Sequence, residues 1–109
     1  MTKCGVSLLL NKRFENYKND SAFLEKVFHS FELRNEHRLA DIFVIKEAVM
    51  KALGKEIDWK DIEVNFGDSG KPLIYISESA RPEDFKKIDG SVSQEEHYTI
   101  GFVVIELEI

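Results

Sequence analysis

The chain has 109 residues, of which 43% are hydrophobic and 11% aromatic, so it is long enough for one folded domain with a core of its own. Fifteen basic residues stand against twenty acidic ones, and the net charge of -5 argues against nonspecific binding to nucleic acid or polybasic attachment to a membrane. The single cysteine, Cys4, excludes an intrachain disulfide and fits a reducing cytoplasmic environment.

The first predicted element is a short buried strand from Cys4 to Leu10, a compact apolar run that we expect in the centre of a sheet. This run is too short for a signal-peptide core or a membrane span. From Asn11 to about Phe31, apolar residues recur every three or four positions and predict two short helices. The second of them would be capped at Asp20 or Ser21.

A long amphipathic helix is predicted from near Asn35 to Gly54. Its end is placed at Gly54 because glycine suits the left-handed conformation that follows a helix end. Ile62 to Phe66 and Leu73 to Ile76 flank a Gly-Asp-Ser-Gly turn and predict a hairpin. Residues Pro82 to Lys87 are expected to form one or two helical turns.

The last predicted elements are two strands, one around Ser91 to Ser93 and one from Tyr98 to Ile109. They flank a turn that includes His97, which we expect to face solvent. Helices in the first half and strands in the second predict a single α+β domain over residues 1–109, with one long helix packed on a largely antiparallel sheet.

The long helix carries Glu47 and Lys51 four residues apart, and at helical spacing both fall on one face. A carboxylate can hold a divalent cation while a nearby lysine meets phosphate oxygens that the cation also bridges. The spacing alone favours a solvated ion pair worth about 0.2–0.5 kcal/mol. The pair therefore predicts a phosphate site only in combination with other motifs.

Several segments in a fixed order accompany this pair along nearly the whole chain. They are GVS at Gly5–Ser7 followed by Lys12-Arg13, KEAVMKALG at Lys46–Gly54, WKDIEV at Trp59–Val64, GKP at Gly70–Pro72 and SVSQEEHYTIGFVVIE at Ser91–Glu106. With these motifs the sequence resembles the holo-acyl-carrier-protein synthase branch of the 4'-phosphopantetheinyl transferase superfamily.

The resemblance implies a magnesium-dependent transfer of 4'-phosphopantetheine from coenzyme A to a serine of an apo acyl carrier protein, with release of adenosine 3',5'-bisphosphate. It implies that Glu47 binds Mg2+ and that Lys51, with Lys46, stabilises phosphate oxygens. It leaves Glu47, Lys51 and a water on the metal as alternative general bases.

The resemblance also implies a coenzyme A site, a carrier-protein surface and a homotrimer whose clefts lie between neighbouring subunits. The basic pair Lys12 and Arg13 would meet the acidic carrier protein, although solvated helix charges are an equal alternative. Without the resemblance, Lys71 would be an ordinary hairpin lysine. The implied coenzyme A contacts are Lys46, Gly70, Lys71, Pro72, Ser91, Ser93 and Gln94.

Four positions depart from the pattern of the family, and each replaces an ionisable residue. Ser7 stands where the family has an aspartate that is the second metal ligand. Leu10 replaces a glutamate, Ile42 an arginine and Gln94 a histidine. Serine is neutral and a poor magnesium ligand, so the sequence predicts a weakened metal site.

Three hypotheses follow. The first is an active transferase in which Glu56, Asp58 or Asp61 folds back toward Glu47 as a compensating carboxylate. The second is a catalytically impaired relative that binds a carrier protein or a nucleotide, or serves as an assembly subunit. The third is a structural oligomer in which the Glu47 and Lys51 pair has no ligand. The retained motifs argue against the third hypothesis, and we favour a transferase or a weakened form of one.

Overall fold

A long helix and an antiparallel sheet form the framework of the protein, and the computed structural model describes residues 1–108 of it. Short 3₁₀ turns precede the long helix and the second strand. The elements in these residues are β1 (Thr2–Leu10), α1 (Asn11–Glu15), α2 (Ser21–Val27), α3 (Ser30–Leu33), α4 (Leu39–Leu53), β2 (Ile62–Phe66), β3 (Pro72–Ile76), β4 (Phe85–Gln94) and β5 (Tyr98–Leu107).

The strands form a three-stranded sheet in the order β1-β5-β4 and a separate β2-β3 hairpin, with antiparallel pairing throughout. The predicted α+β class is confirmed. The prediction that the first strand is central is wrong, because β5 pairs on both sides and β1 forms an edge. Side chains of β1 alternate between the two faces of the sheet: Gly5 and Ser7 face the core, whereas Val6 and Leu8 are exposed.

The helical region contains one helix more than predicted. Asp20 caps α2 as expected, because its carboxylate accepts the Phe23 N–H at 3.1 Å. Extended backbone at Phe28 and His29 then separates α2 from the single turn α3. The long helix α4 ends at the predicted Gly54, whose φ is 74°.

The boundaries of three other elements differ from the sequence-based expectation. A 3₁₀ turn at Glu36–Arg38 delays the start of α4 to Leu39. The helical turns predicted at Pro82–Lys87 are wrong, because Phe85 already pairs with β5 and a bulge follows it. The last residue of the predicted final strand, Ile109, lies outside the described residues. No helix within residues 1–108 is long and apolar enough to cross a membrane.

Helix α4 lies unusually close to the sheet, and two glycines make this approach possible. A Cβ atom on Gly5 would lie 2.0 Å from the Ala48 carbonyl oxygen, and one on Gly101 would lie 3.0 Å from the Val44 carbonyl oxygen. Both clashes involve backbone atoms that cannot rotate away. The glycines therefore allow α4 to pack directly on β1 and β5, which brings the side chains of Ser7 and the helix together.

On another side of α4, a buried ion pair fixes the helix to the preceding segment. The Lys46 ammonium donates to Glu32 Oε1 at 2.8 Å, and both side chains are 0% exposed. It also donates to the carbonyls of Val27 at 2.7 Å and Trp59 at 3.2 Å, so its three donors have three acceptors. Burial lowers the pKa of Lys46, and the hydrogen bond to Glu32 opposes that shift.

This burial corrects one sequence-based prediction. Lys46 was expected to contact coenzyme A phosphate, but its ammonium lies in the core and is bonded to protein groups. Its partner Glu32 is equally occupied, since its carboxylate also accepts the N–H groups of His29 and Val64. Lys46 is therefore a structural residue that ties α2, α3 and the segment before β2 to α4.

Substitution of Gly5 by alanine should lower the free energy of unfolding by about 3 kcal/mol or more, because the new methyl group overlaps the α4 backbone. Urea denaturation followed by circular dichroism measures this loss. Gly67→Ala is the matched control, because its Cβ would meet only atoms at 3.9 Å. Equal midpoints for the two variants would show that α4 can move away from the sheet without cost.

Substitution of Lys46 by methionine should destabilise the fold by about 3–5 kcal/mol, because it leaves the Glu32 carboxylate buried without its cation. The same denaturation experiment measures the effect. Lys51→Met, which removes an exposed lysine from the same helix, should change stability by less than about 0.5 kcal/mol. A Lys46→Met variant as stable as wild type would contradict the structural role of Lys46.

Candidate functional site

The candidate metal position lies where β1 meets α4. The Ser7 hydroxyl donates to Glu47 Oε1 at 2.6 Å, and Ser7 is 1% exposed. Position 7, where the resemblance leads us to expect an aspartate, therefore does face the helical carboxylate. Here it supplies a neutral donor, which takes up one acceptor site of Glu47 and adds no negative charge.

Glu47 and Lys51 line one pocket of about 330 Å³ at the C-terminal half of α4. No ion pair joins these two side chains in the described part of the chain, so the solvated pair that the spacing favours is not formed. The residues around the pocket are Glu47, Met50, Lys51, Gly54, Lys55, Glu56 and Trp59. The pocket thus combines two carboxylates with two ammonium groups.

One of the three predicted compensating carboxylates reaches this pocket. Glu56 lines it together with Glu47. Asp58 instead accepts the Lys60 N–H at 3.0 Å, and Asp61 accepts the Ser77 hydroxyl at 2.8 Å. The prediction that Asp58 or Asp61 folds back toward Glu47 is therefore wrong, because both carboxylates are used in local structure.

The donor groups at Glu47 constrain how a metal could bind. Among residues 1–108 there is no group of three His, Cys, Asp or Glu side chains that could hold a metal ion. Magnesium in proteins often takes only one or two carboxylates and completes its coordination with phosphate oxygens and water. Glu47 therefore fits a magnesium ion that is shared with a phosphate ligand, but not one held by protein groups alone.

A second and larger cavity, of about 690 Å³, lies between the β2-β3 turn and strand β4. It brings the Gly70–Pro72 segment together with Ser91, which lies twenty positions further along the chain from Lys71. Ser93 is exposed two residues further along β4, on the same face as Ser91. The volume is within the usual range for small-molecule sites, about 300–1,000 Å³.

Lys71 in this cavity pairs with a carboxylate of the neighbouring strand. Its ammonium lies 2.9 Å from Asp89 Oδ1 and 3.1 Å from Oδ2, and both side chains are more than half exposed. The Lys71 ammonium, together with the Gly90 N–H, lowers the pKa of Asp89. An anionic ligand must therefore compete with Asp89 for Lys71.

Gln94 points to the other face of the sheet and bonds to α4. Its amide donates to Asp41 Oδ1 at 2.5 Å, and the second oxygen of Asp41 accepts Arg38 Nε at 2.8 Å. Both terminal nitrogens of Arg38 lie 3.4 Å from the Gly70 carbonyl oxygen. Sequence reasoning missed Arg38 and Asp41, although a charged pair three residues apart at the start of an apolar helix was a visible signal.

The candidate site residues thus lie at several separate places within one chain. Asp41 and Gln94 lie at the N-terminal end of α4, whereas Glu47 is six residues later, or about 9 Å further along the helix axis. The pocket beside Glu47 and the cavity beside Lys71 share no lining residue. Lys12 and Arg13 are exposed on α1, apart from both.

Comparison with known proteins identifies the family. The model of the 4'-phosphopantetheinyl transferase superfamily matches residues 10–103. A holo-[acyl-carrier-protein] synthase of Thermodesulfovibrio yellowstonii is 38% identical over 112 residues, which cover 93% of this chain and 95% of the relative.

Solved structures of synthases share the fold. The Helicobacter pylori holo-[acyl-carrier-protein] synthase, crystallised with coenzyme A, superposes with a TM-score of 0.85 at 24% identity and covers 94% of this chain and 99% of its own. The Bacillus anthracis synthase in complex with CoA (3',5'-ADP) gives 0.80 at 25% identity, with 97% and 96% covered. The chain therefore belongs to the 4'-phosphopantetheinyl transferase superfamily, in its holo-acyl-carrier-protein synthase branch.

Proposed function

We propose that this protein transfers 4'-phosphopantetheine from coenzyme A to a serine of an apo acyl carrier protein. The observation that carries the proposal is the cavity in which the Gly70–Pro72 turn and Ser91 converge beside the Lys71 ammonium. Its size suits a nucleotide-containing ligand, and a cation next to a glycine turn suits phosphate. Membership in the transferase family and the coenzyme A bound to the Bacillus anthracis relative support the same ligand.

The chemistry requires that the pyrophosphate bond of coenzyme A be broken by a serine hydroxyl of the carrier. Lys71 would bind a phosphate once Asp89 is displaced, and Lys51 would stabilise the oxygens of the transferred group. Magnesium held by Glu47 and the substrate phosphates would neutralise charge on those oxygens. The proton of the attacking serine would pass to a base in the Glu47 pocket, for which Glu47, Lys51 in its neutral form and a water on the metal are the candidates.

Ser7 makes the proposed magnesium site weaker than a two-carboxylate site. Its hydroxyl already donates to Glu47, so Glu47 must accept that bond and a cation together. The proposed enzyme therefore needs more magnesium than a relative with an aspartate at this position, because one negative charge is missing beside the cation.

We also propose that the protein is a homotrimer with each cleft between two subunits. The outer face of the β1-β5-β4 sheet supports this, because Val6, Leu8 and Phe102 are 50%, 60% and 40% exposed. Phe102 and Val104 of that face line the Lys71 cavity. A neighbouring subunit on this face would therefore cover apolar surface and close a wall of the cavity.

The acyl carrier protein is proposed to dock at the exposed Lys12 and Arg13 on α1. Carrier proteins of this type are expected to be acidic, and two cations on an otherwise acidic protein would orient such a partner. A cytoplasmic location is proposed because the free and exposed Cys4 is compatible with a reducing compartment.

The transfer reaction can be measured by incubating the protein with coenzyme A, magnesium and a panel of apo carrier proteins, and by following the carrier by intact mass spectrometry. Wild type should add one phosphopantetheine group. Glu47→Ala should lower kcat/KM by about 100-fold or more, because it removes the carboxylate that faces the cation. Glu25→Ala, which removes an exposed glutamate on α2, is the matched control.

Other outcomes distinguish the alternatives. Full activity of Glu47→Ala would show that the metal and base assignments are wrong. If wild type modifies no carrier but Ser7→Asp does, the protein is a catalytically impaired relative whose site lapsed at this position. If neither protein modifies a carrier or binds coenzyme A, the transferase proposal fails and a structural role remains.

The assembly can be tested by introducing a charge on the outer sheet face. Leu8→Glu should convert the trimer to monomers in sedimentation velocity, because it buries a carboxylate in the proposed interface. Leu73→Glu is the matched control, because Leu73 is a similarly exposed leucine, at 54%, on the β2-β3 hairpin. A wild-type monomer, or an intact trimer of Leu8→Glu, would contradict the proposed interface.

A further inference from the structure

Arg38 stands at a junction between three segments of the chain. Its guanidinium lies 3.6 Å from the centre of the Phe66 ring, at the end of β2. Nε donates to Asp41, and the two terminal nitrogens approach the Gly70 carbonyl of the β2-β3 turn. The planar guanidinium therefore donates hydrogen bonds along its edge while its face stacks on the Phe66 ring, and an ammonium cannot make both contacts.

Asp41 is the buried centre of this junction. The residue is 4% exposed, and its two carboxylate oxygens are divided between Gln94 of β4 and Arg38. Each oxygen thus holds a different segment, and a neutral asparagine in its place would offer only one acceptor. A buried carboxylate with two donors is costly to alter, since a partner left unpaired keeps its full desolvation penalty.

The segments that meet here are those proposed to bind coenzyme A. Gly70 belongs to the turn that lines the Lys71 cavity, and its φ of 84° lies in the left-handed region, which favours glycine at this position. Gln94 ends the strand that carries Ser91. The turn belongs to the separate β2-β3 hairpin, and the Arg38–Asp41 pair connects it to the end of this strand.

We propose that Arg38 and Asp41 are positioning residues that hold the Gly70–Pro72 turn and the end of β4 in the geometry that binds coenzyme A. The inference rests on the proposed function, because coenzyme A is the ligand of that function. Arg38 lies one helical turn before Ile42, the position at which the family carries an arginine, and it acts here through the Gly70 carbonyl. Neither residue needs to touch the ligand.

The substitution Asp41→Asn distinguishes a positioning role of Arg38 and Asp41 from a direct electrostatic attraction between Arg38 and the ligand. If Arg38 acted as a free cation for an anionic ligand, Asp41→Asn would strengthen coenzyme A binding, because it removes a neighbouring negative charge. As a positioning residue, Asp41 should have the opposite effect. We expect Asp41→Asn to weaken coenzyme A binding about tenfold in isothermal titration calorimetry, since an ordered charged contact is lost.

Asp89→Asn is the matched control for this experiment. It removes the same charge, from the wall of the Lys71 cavity, but does not touch Arg38 or Asp41. It should strengthen coenzyme A binding, because Lys71 loses its competing partner. The two isosteric substitutions therefore shift the affinity in opposite directions if the inference is correct.

Two further measurements identify the mechanism. Hydrogen exchange of the free protein should accelerate at residues 67–71 in Asp41→Asn and Arg38→Ala, with the thermal midpoint recorded for each variant. Arg38→Lys should not restore binding, because one ammonium cannot bridge Asp41 and Gly70. In turnover, KM for coenzyme A should rise while kcat changes little.

The results that overturn the inference are distinct from those that overturn the function. Wild type that binds coenzyme A, with Asp41→Asn binding as tightly or more tightly, refutes the positioning role alone. Full rescue by Arg38→Lys refutes it as well, because charge alone would then suffice. Wild type that neither binds coenzyme A nor transfers phosphopantetheine refutes the proposed function, and the inference falls with it.

Discussion

The close approach of α4 to the sheet is the constraint on which the rest of the structure depends. Gly5 and Gly101 remove the two side chains that would separate them, so the helix backbone lies against β1 and β5. From another side, Lys46 is bonded to Glu32 and to the carbonyls of Val27 and Trp59. These bonds fix the rotation of the helix about its own axis. Distance and rotation are therefore fixed by separate interactions.

With α4 fixed in this way, its remaining polar residues have defined positions. Glu47 meets Ser7 near the middle of the helix, and Asp41 meets Gln94 at its beginning. The first contact belongs to the proposed magnesium and phosphate chemistry, and the second to the proposed support of the coenzyme A site. One helix thus carries two separate polar contacts, and Asp41 and Gln94 line neither the Glu47 pocket nor the Lys71 cavity.

The sequence suggests that Ser7, Ile42 and Gln94 are simple losses of charge, but the three residues have different structural roles. Ser7 contacts Glu47 as a neutral donor. Ile42 is fully buried, so that position now contributes to the core. Gln94 is bonded to Asp41, which in turn holds Arg38 near the Gly70 turn. The chain thus has an arginine near the Gly70 turn, bonded to Asp41 and directed at the Gly70 carbonyl.

The sequence by itself determined the α+β class, the hairpin, the end of α4 at Gly54 and the family, because these depend on local periodicity, turn residues and the order of motifs. It also predicted that Gly70–Pro72 and Ser91 share one site. Only the tertiary structure decided that Lys46 is a core residue, that β1 is an edge strand, and that Arg38 and Asp41 contact the Gly70 turn and Gln94. The physical reason is that a lysine in a KE motif has the same local pattern whether its ammonium meets a ligand or a buried carboxylate fourteen residues away. Its burial depends on how distant segments pack, and no local pattern records that.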